Sequence, residues 1–225
     1  MIYNPKESLK NIVDNGIIID FLAAEEAIAL YKTIGNHQSA LVNNDFAHLF
    51  GVLQIVLAKE IVLCLIKIYE NNDKYPLRSF PCAIKLIQEN CNQLKIEYRE
   101  QLEDKLTTWG LEKKCLITMT DSELTTVVCN VLKDKIPSPS AMKAIKNIRD
   151  KRLAHSELID ETEILPIIWQ QIDDLIALAK TLLGVIGNSY LGSLYEINEE
   201  YSLSYDASIA SHSLIRLLKQ ASIVS

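Results

Sequence analysis

Between Ile164 and Ile186 the apolar residues fall at 165, 168, 169, 172, 175, 176, 179, 182, 183 and 186. This i, i+3, i+4, i+7 spacing keeps one stripe of an α-helix apolar for about six turns. A strand cannot use such a pattern, because its side chains alternate between faces with period two. Gly187 stands where a helix of this kind would stop. A second stretch, Asn44 to Tyr69, is apolar nearly all round apart from Gln54, Lys59, Glu60 and Lys67. It is expected in the middle of a bundle, covered on most sides. With 7 Gly and 6 Pro the chain has too little turn chemistry for a many-stranded sandwich or barrel. The fold class expected is all-α.

Amphipathic segments near 5–33, with a break at Gly16, and near 80–93, 95–109, 121–133 and 140–155 complete the helical set. Ser79 ahead of Phe80-Pro81 reads as an N-cap with proline in the first turn. Thr120-Asp-Ser-Glu123 has the spacing of a capping box, and Ser138-Pro139-Ser140 offers a stop for one helix and a cap for the next. The 225 residues fit one domain, with no repeat at a solenoid period. A helical bundle over 1–190 is expected, with 191–225 as a C-terminal tail and helix packed on the same domain. From about Asn188 a Ser- and acid-rich stretch holding Tyr190, Tyr195, Tyr201 and Tyr205 precedes an amphipathic segment, Ala207 to Gln220.

The five cysteines (64, 82, 91, 115 and 129) are odd in number, never closer than nine apart, and mostly set in apolar runs. They read as reduced, buried thiols of a cytoplasmic protein, with no disulfide frame. The start, Met1-Ile-Tyr-Asn-Pro-Lys-Glu, lacks the layout of a signal peptide. Lys59, Glu60 and Lys67 interrupt the most lipid-like stretch, so no membrane association is expected. Phosphate-binding glycine loops, the G-x-S-x-G elbow and H-E-x-x-H are all missing. The four histidines (37, 48, 155 and 212) have no metal-ligand spacing, so neither a metal nor a cofactor is expected.

Charge is unevenly spread. The net charge is −6, yet Lys133 to Arg152 holds seven basic residues against Asp134 and Asp150, a local +5. The other 205 residues therefore carry −11, and Glu157 to Glu200 has nine acids against Lys180. A single basic island in an acidic chain is the footprint of a phosphate-bearing partner; its plainer reading is a solvated helix face.

The centre of that island is Lys143-Ala-Ile-Lys-Asn-Ile-Arg149-Asp150-Lys-Arg152-Leu-Ala-His155-Ser156-Glu157. Arginine, a polar residue, a short spacer and then histidine resembles the Arg-x(4–6)-His motif of the HEPN superfamily, small helical bundles that include many RNA-cleaving toxins and antiviral effectors. The order of segments is similar to the abortive-infection, AbiU-type branch. That branch has an N-terminal amphipathic helix (around Ala23 to Ile34), a long apolar helix after Asn43-Asn44-Asp45-Phe46, a Ser-capped helix from Ser79, the motif, and a last long helix. The resemblance covers roughly residues 17–190. It implies an HEPN-like bundle with additional helices and a C-terminal helical extension.

The resemblance further implies a metal-independent endoribonuclease acting in abortive infection or as a toxin, a two-fold homodimer, and a possible cognate antitoxin protein. Arg149 and His155 stand at the two motif positions, and Asp150 fills the polar slot and orients either partner. Chemistry agrees with these residue types. Metal-free RNA cleavage needs a group that exchanges protons near neutral pH, as histidine does, and a fixed cation for the phosphoryl oxygens, as arginine supplies. Lys143, Lys146, Lys151 and Arg152 would hold the RNA backbone. At about 100° per residue, Arg149 and His155 point about 120° apart on a regular helix. Either the helix loosens before His155 or a second subunit supplies the complementary group. The same residues also fit a non-catalytic HEPN-type module that binds RNA, a nucleotide or a protein, or a purely structural helical dimer.

Overall fold

The structure is a computed structural model. It describes residues 3–42, 46–71, 77–138, 142, 145–146, 161–193, 195–197, 200–201 and 203–224, with the backbone alone at 161–168, 196–197, 200–201 and 203–206. The fold is all-α, as expected. Two compact units, each drawn from three stretches of chain, make it up: residues 1–18, 67–139 and 177–201 form the first, and 19–66, 140–176 and 202–225 the second.

In the first unit, α1 (Pro5–Ile12) starts at Asn4, whose side-chain oxygen accepts from the backbone N–H of Lys6 at 3.1 Å. The helix then widens into a π-turn, Val13–Ile17, closed by the N–H of Ile18 donating to the carbonyl of Val13. This is the form the break at Gly16 takes. A side chain there would collide with the stem of Arg78, which packs over the glycine and donates to the freed carbonyl of Asn15 at 3.0 Å. Leu9, Val13 and Ile17 turn inward.

Beside α1 lies α5 (Phe80–Glu89), which also packs on α8 (Asp121–Lys135). Ala83, Ile84 and Ile87 of α5 meet a core to which α8 brings Leu124, Val128, Cys129 and Leu132. Cys129 donates its thiol to the Ile84 carbonyl at 3.7 Å, and burial pushes that thiol up to about 12. The Thr120–Glu123 capping box forms as read. Ser79 occupies the N-cap of α5, but its hydroxyl makes no cap bond and is buried without a partner.

Between these helices run α6 (Arg99–Thr108) and α7 (Lys113–Leu116). Arg99 ties them to the start of α8. Its guanidinium donates to Glu103 at 2.7 Å, to Asp121 at 2.6 Å and to the Met119 carbonyl at 2.6 Å. Hydrogen bonds to Glu103 and Asp121 hold its pKa above the ordinary value.

The second unit takes in most of α2 (Ile18–Asn36), α3 (Gln38–Val42), α4 (Ala47–Tyr69) up to Ile66, the first part of α9 (Glu161–Ile186), and α10 (Leu203–Gln220). Its core joins Ile34, Leu41, Phe50 and Leu218, with Leu57, Leu214, Ile223 and Val224 packed against them. Phe50 and Leu57 are two turns apart, so one line of α4 faces this cluster.

Three expectations need correction. The long helix does not stop at Gly187: a π-turn, Gly187–Leu191, carries it on to Gly192, whose φ of 70° ends it. Gly187 is needed for a close approach, because a side chain there would strike the ring of Tyr195. Tyr190 in this turn is fully buried and donates to Thr125 at 3.3 Å, so it belongs to the core. Next, α4 is not covered on most sides. Leu49, Val52, Leu53, Ile55, Val56 and Leu63 are all exposed. By length and composition this helix is apolar enough to cross a membrane, so its three charges do not by themselves exclude a span. The fold nonetheless buries Ile61, Val62, Cys64, Leu65 and Ile66. Finally, Cys64 and Cys129 are buried thiols but Cys115 is exposed, because α7 is a single turn at the surface.

A two-residue antiparallel pair, β1 (Glu196–Ile197) with β2 (Glu200–Tyr201), lies between α9 and α10. Glu196 pairs with Tyr201 and Ile197 with Glu200.

Candidate functional site

The basic island runs from the last turn of α8, which holds Lys133 and Lys135, into the part of the chain before α9. Of its expected site residues, Lys146 is described. Arg149, Asp150, Lys151, Arg152, His155 and Lys143 lie outside the described residues. Lys146 sits half-exposed at the end of a helical turn, and its backbone N–H donates to the Met142 carbonyl at 2.9 Å. Met142 and Ile145 are buried, at 3% and 1% exposure. Apolar residues three apart turn inward while the lysine next to them stays at the surface, which is how an amphipathic helix begins.

Downstream, α9 is anchored within the second unit by its first described side chains. Trp169 stacks at a tilt on Tyr31 of α2, with ring centroids 4.8 Å apart. The ammonium of the neighbouring Lys32 lies 3.1 Å from Asp173 and 5.9 Å from the Trp169 ring. Both charged partners are about half exposed, so this pair contributes little through charge; the aromatic contact does most to fix the helix. The motif thus falls in the chain between two fixed points, the Met142–Lys146 turn and the Trp169–Asp173 turn.

Sequence reasoning missed this second anchor. Trp169 and Asp173 share a helix face at i, i+4, which is legible, but their pairing with Tyr31 and Lys32 is a tertiary contact with no local signal. His37, His48 and His212 all belong to the second unit, apart from one another in sequence. Among the described residues no group of His, Cys, Asp or Glu is arranged to hold a metal ion.

Electrostatic perturbation is concentrated in the first unit and has structural causes. Burial raises the hydroxyls of Tyr69 and Tyr190. Desolvation is also the main reason Tyr195 is raised; its hydroxyl donates to Asp14 at 3.2 Å. A hydrogen bond from the ammonium to Asp14 raises Lys10. Lys10 and Tyr195 share the one Asp14 carboxylate, and Tyr190 is tied to Thr125 in the core; these groups read as scaffold.

No curated protein and no solved structure matches the chain. The HEPN_AbiU2 family (AbiU2) matches it over residues 6–208, a span that includes all of α1 but Pro5, the basic island with its Arg149-to-His155 stretch, α9 and the start of α10. All-helical architecture, the order of its helices and this near full-length match agree: the chain belongs to the AbiU2 family and is an HEPN-type module of abortive infection.

Proposed function

We propose that this HEPN-type protein is a metal-independent endoribonuclease of abortive infection, working in the cytoplasm as a two-fold homodimer under the control of a cognate antitoxin protein. The observation that carries the reading is the family match over 6–208, which encloses an Arg149–His155 pair inside the strongly basic window of an acidic chain. His155 takes the proton of the ribose 2′-hydroxyl as that oxygen attacks the adjacent phosphorus. The bond from phosphorus to the 5′-oxygen breaks, and the departing oxygen is protonated by the histidine of the second subunit or by water. Arg149 pairs with the non-bridging oxygens, where negative charge grows. Asp150 orients one of the two, and Lys143, Lys146, Lys151 and Arg152 hold the flanking phosphates. Products carry 2′,3′-cyclic phosphate and 5′-hydroxyl ends.

The test is incubation of the purified protein with total cellular RNA in EDTA, followed by mapping of the cut ends. Cleavage to cyclic phosphate ends is expected, with none on DNA or 2′-O-methyl RNA. His155→Ala and Arg149→Ala should each abolish it while leaving the thermal midpoint within a few degrees, and mixing the two variants should restore part of the activity. Wild-type rates in both variants would remove the motif from the chemistry. RNA binding without cleavage in the wild type would make the protein a binding module.

A further inference from the structure

Lys133 and Lys135 are the first two cations of the basic island, and both stand on the last turn of α8 in the first unit. What they face sets them apart from four other described lysines. Lys6, Lys10, Lys32 and Lys113 each meet a carboxylate, which cancels much of their field. Lys133 instead donates to the side-chain oxygen of Gln88, and the Lys135 ammonium lies 4.3 Å from the centre of the Trp109 ring. Both partners are neutral, so the two ammoniums are held in place with their charge intact. Trp109 ends α6, its backbone N–H donating to the Leu106 carbonyl at 3.1 Å. Gly110 follows at a φ of 93°, with nothing within 4 Å of where a side chain would begin. The half-buried indole therefore borders open space on the turn between α6 and α7.

We propose that Trp109 and Lys135 form a binding site for one nucleotide of single-stranded RNA, with the base stacked on the exposed part of the indole and the ammonium on phosphate. Lys133 holds the next phosphate along the strand. Every base has a π-face, so such stacking accepts any sequence, while the cations draw in the backbone. An acidic peptide would use the two lysines and leave the ring idle; a nucleotide uses all three groups. Position in the chain points the same way, since Lys135 precedes Arg149 by 14 residues within the one basic window. The site deepens the proposed ribonuclease by giving its RNA a foothold on the first unit, and its substrate class rests on that reading. It holds RNA and does no chemistry, so its readout is binding and the two can fail separately.

The experiment titrates the full chain with a fluorescent 2′-O-methyl RNA strand of about 12 nucleotides, which the proposed chemistry does not cut, and with an abasic strand of the same length and charge. Trp109→Ala should weaken binding of the base-bearing strand by about 10-fold and leave the abasic strand unaffected, and Trp109→Phe should keep most of the affinity. Lys135→Gln should weaken both strands alike and lower the slope of log affinity on log salt by about 0.7, a slope that Trp109→Ala should leave as in wild type. Tyr98→Ala, which removes an exposed ring ahead of α6, should bind like wild type. A Trp109→Ala variant that binds the base-bearing strand as tightly as wild type overturns the proposal. So does one that loses both strands equally, which would make the pair a clasp between α6 and α8. Equal loss in Tyr98→Ala, or a wild type that binds neither strand, overturns it too. Displacement of the strand by an equal concentration of adenosine monophosphate would also overturn it and assign the site to a free nucleotide. Wild-type protein that binds in the expected pattern yet leaves unmodified RNA intact supports the site and removes the ribonuclease chemistry.

Discussion

Glu123 shows how one side chain ties stability to pH. Its carboxylate accepts from the Thr120 N–H and from the Thr120 hydroxyl, both at 2.8 Å, and these bonds hold its pKa below the ordinary 4.5. A depressed folded-state pKa contributes stability that is fully present above the unfolded value and is lost as pH falls through the folded value. Glu123→Gln should therefore lower the thermal midpoint most at neutral pH, and the gap to wild type should close as the pH drops below 4.5. A gap independent of pH would mean that the box acts through geometry alone. This pair was readable at i, i+3 because both partners lie within one turn. Arg99 was readable only in part: Glu103 is its i, i+4 neighbour on α6, but Asp121 and the Met119 carbonyl meet it through the fold.

At the scale of the element, helices were legible wherever the apolar period ran long. The stripe of α9 is buried at Ile172, Leu175, Ala179, Leu182, Leu183 and Ile186, as its spacing requires. What the pattern could not reveal is which face of a uniformly apolar helix meets solvent. On α4 that depends on Ile34, Leu41 and Leu218, residues from α2, α3 and α10. The glycines of the π-turns stood out in the sequence, but not the side chains that pack over them, Arg78 on Gly16 and Tyr195 on Gly187. Two glycines make the contrast testable. Gly16→Ala should destabilise by about 1–3 kcal/mol, because its methyl meets the rigid stem of Arg78 rather than a movable tip. Gly51→Ala meets nothing and should stabilise by about 0.5–1 kcal/mol through helix propensity. Urea titrations of both variants read these differences; equal effects would remove the close approach as the reason for glycine at position 16.

For the whole molecule, the candidate site was legible as residue types in one charged window, and its surroundings were legible only in part. Lys146 on a turn anchored by Met142 and Ile145 follows from local spacing; the hold of Tyr31 and Lys32 on α9 does not. The charge pattern yields its own prediction. RNA binding should weaken steeply with salt, and neutral replacements of Lys143, Lys146 and Lys151 should each reduce the slope of log affinity on log salt by about 0.7, the value for one phosphate contact on a single strand. Lys85, in the first unit, should leave it unchanged, and an equal effect there would move the binding surface elsewhere.

Both units close on residues from the far end of the chain: Tyr190 completes the core that holds Thr125, and Leu218 the one that holds Ile34. Neither unit can therefore finish folding until the stretch that carries its late residue, Tyr190 or Leu218, has been made. For a protein whose proposed target is RNA, that order of assembly holds back both folded units, and the surfaces they carry, until those late stretches exist.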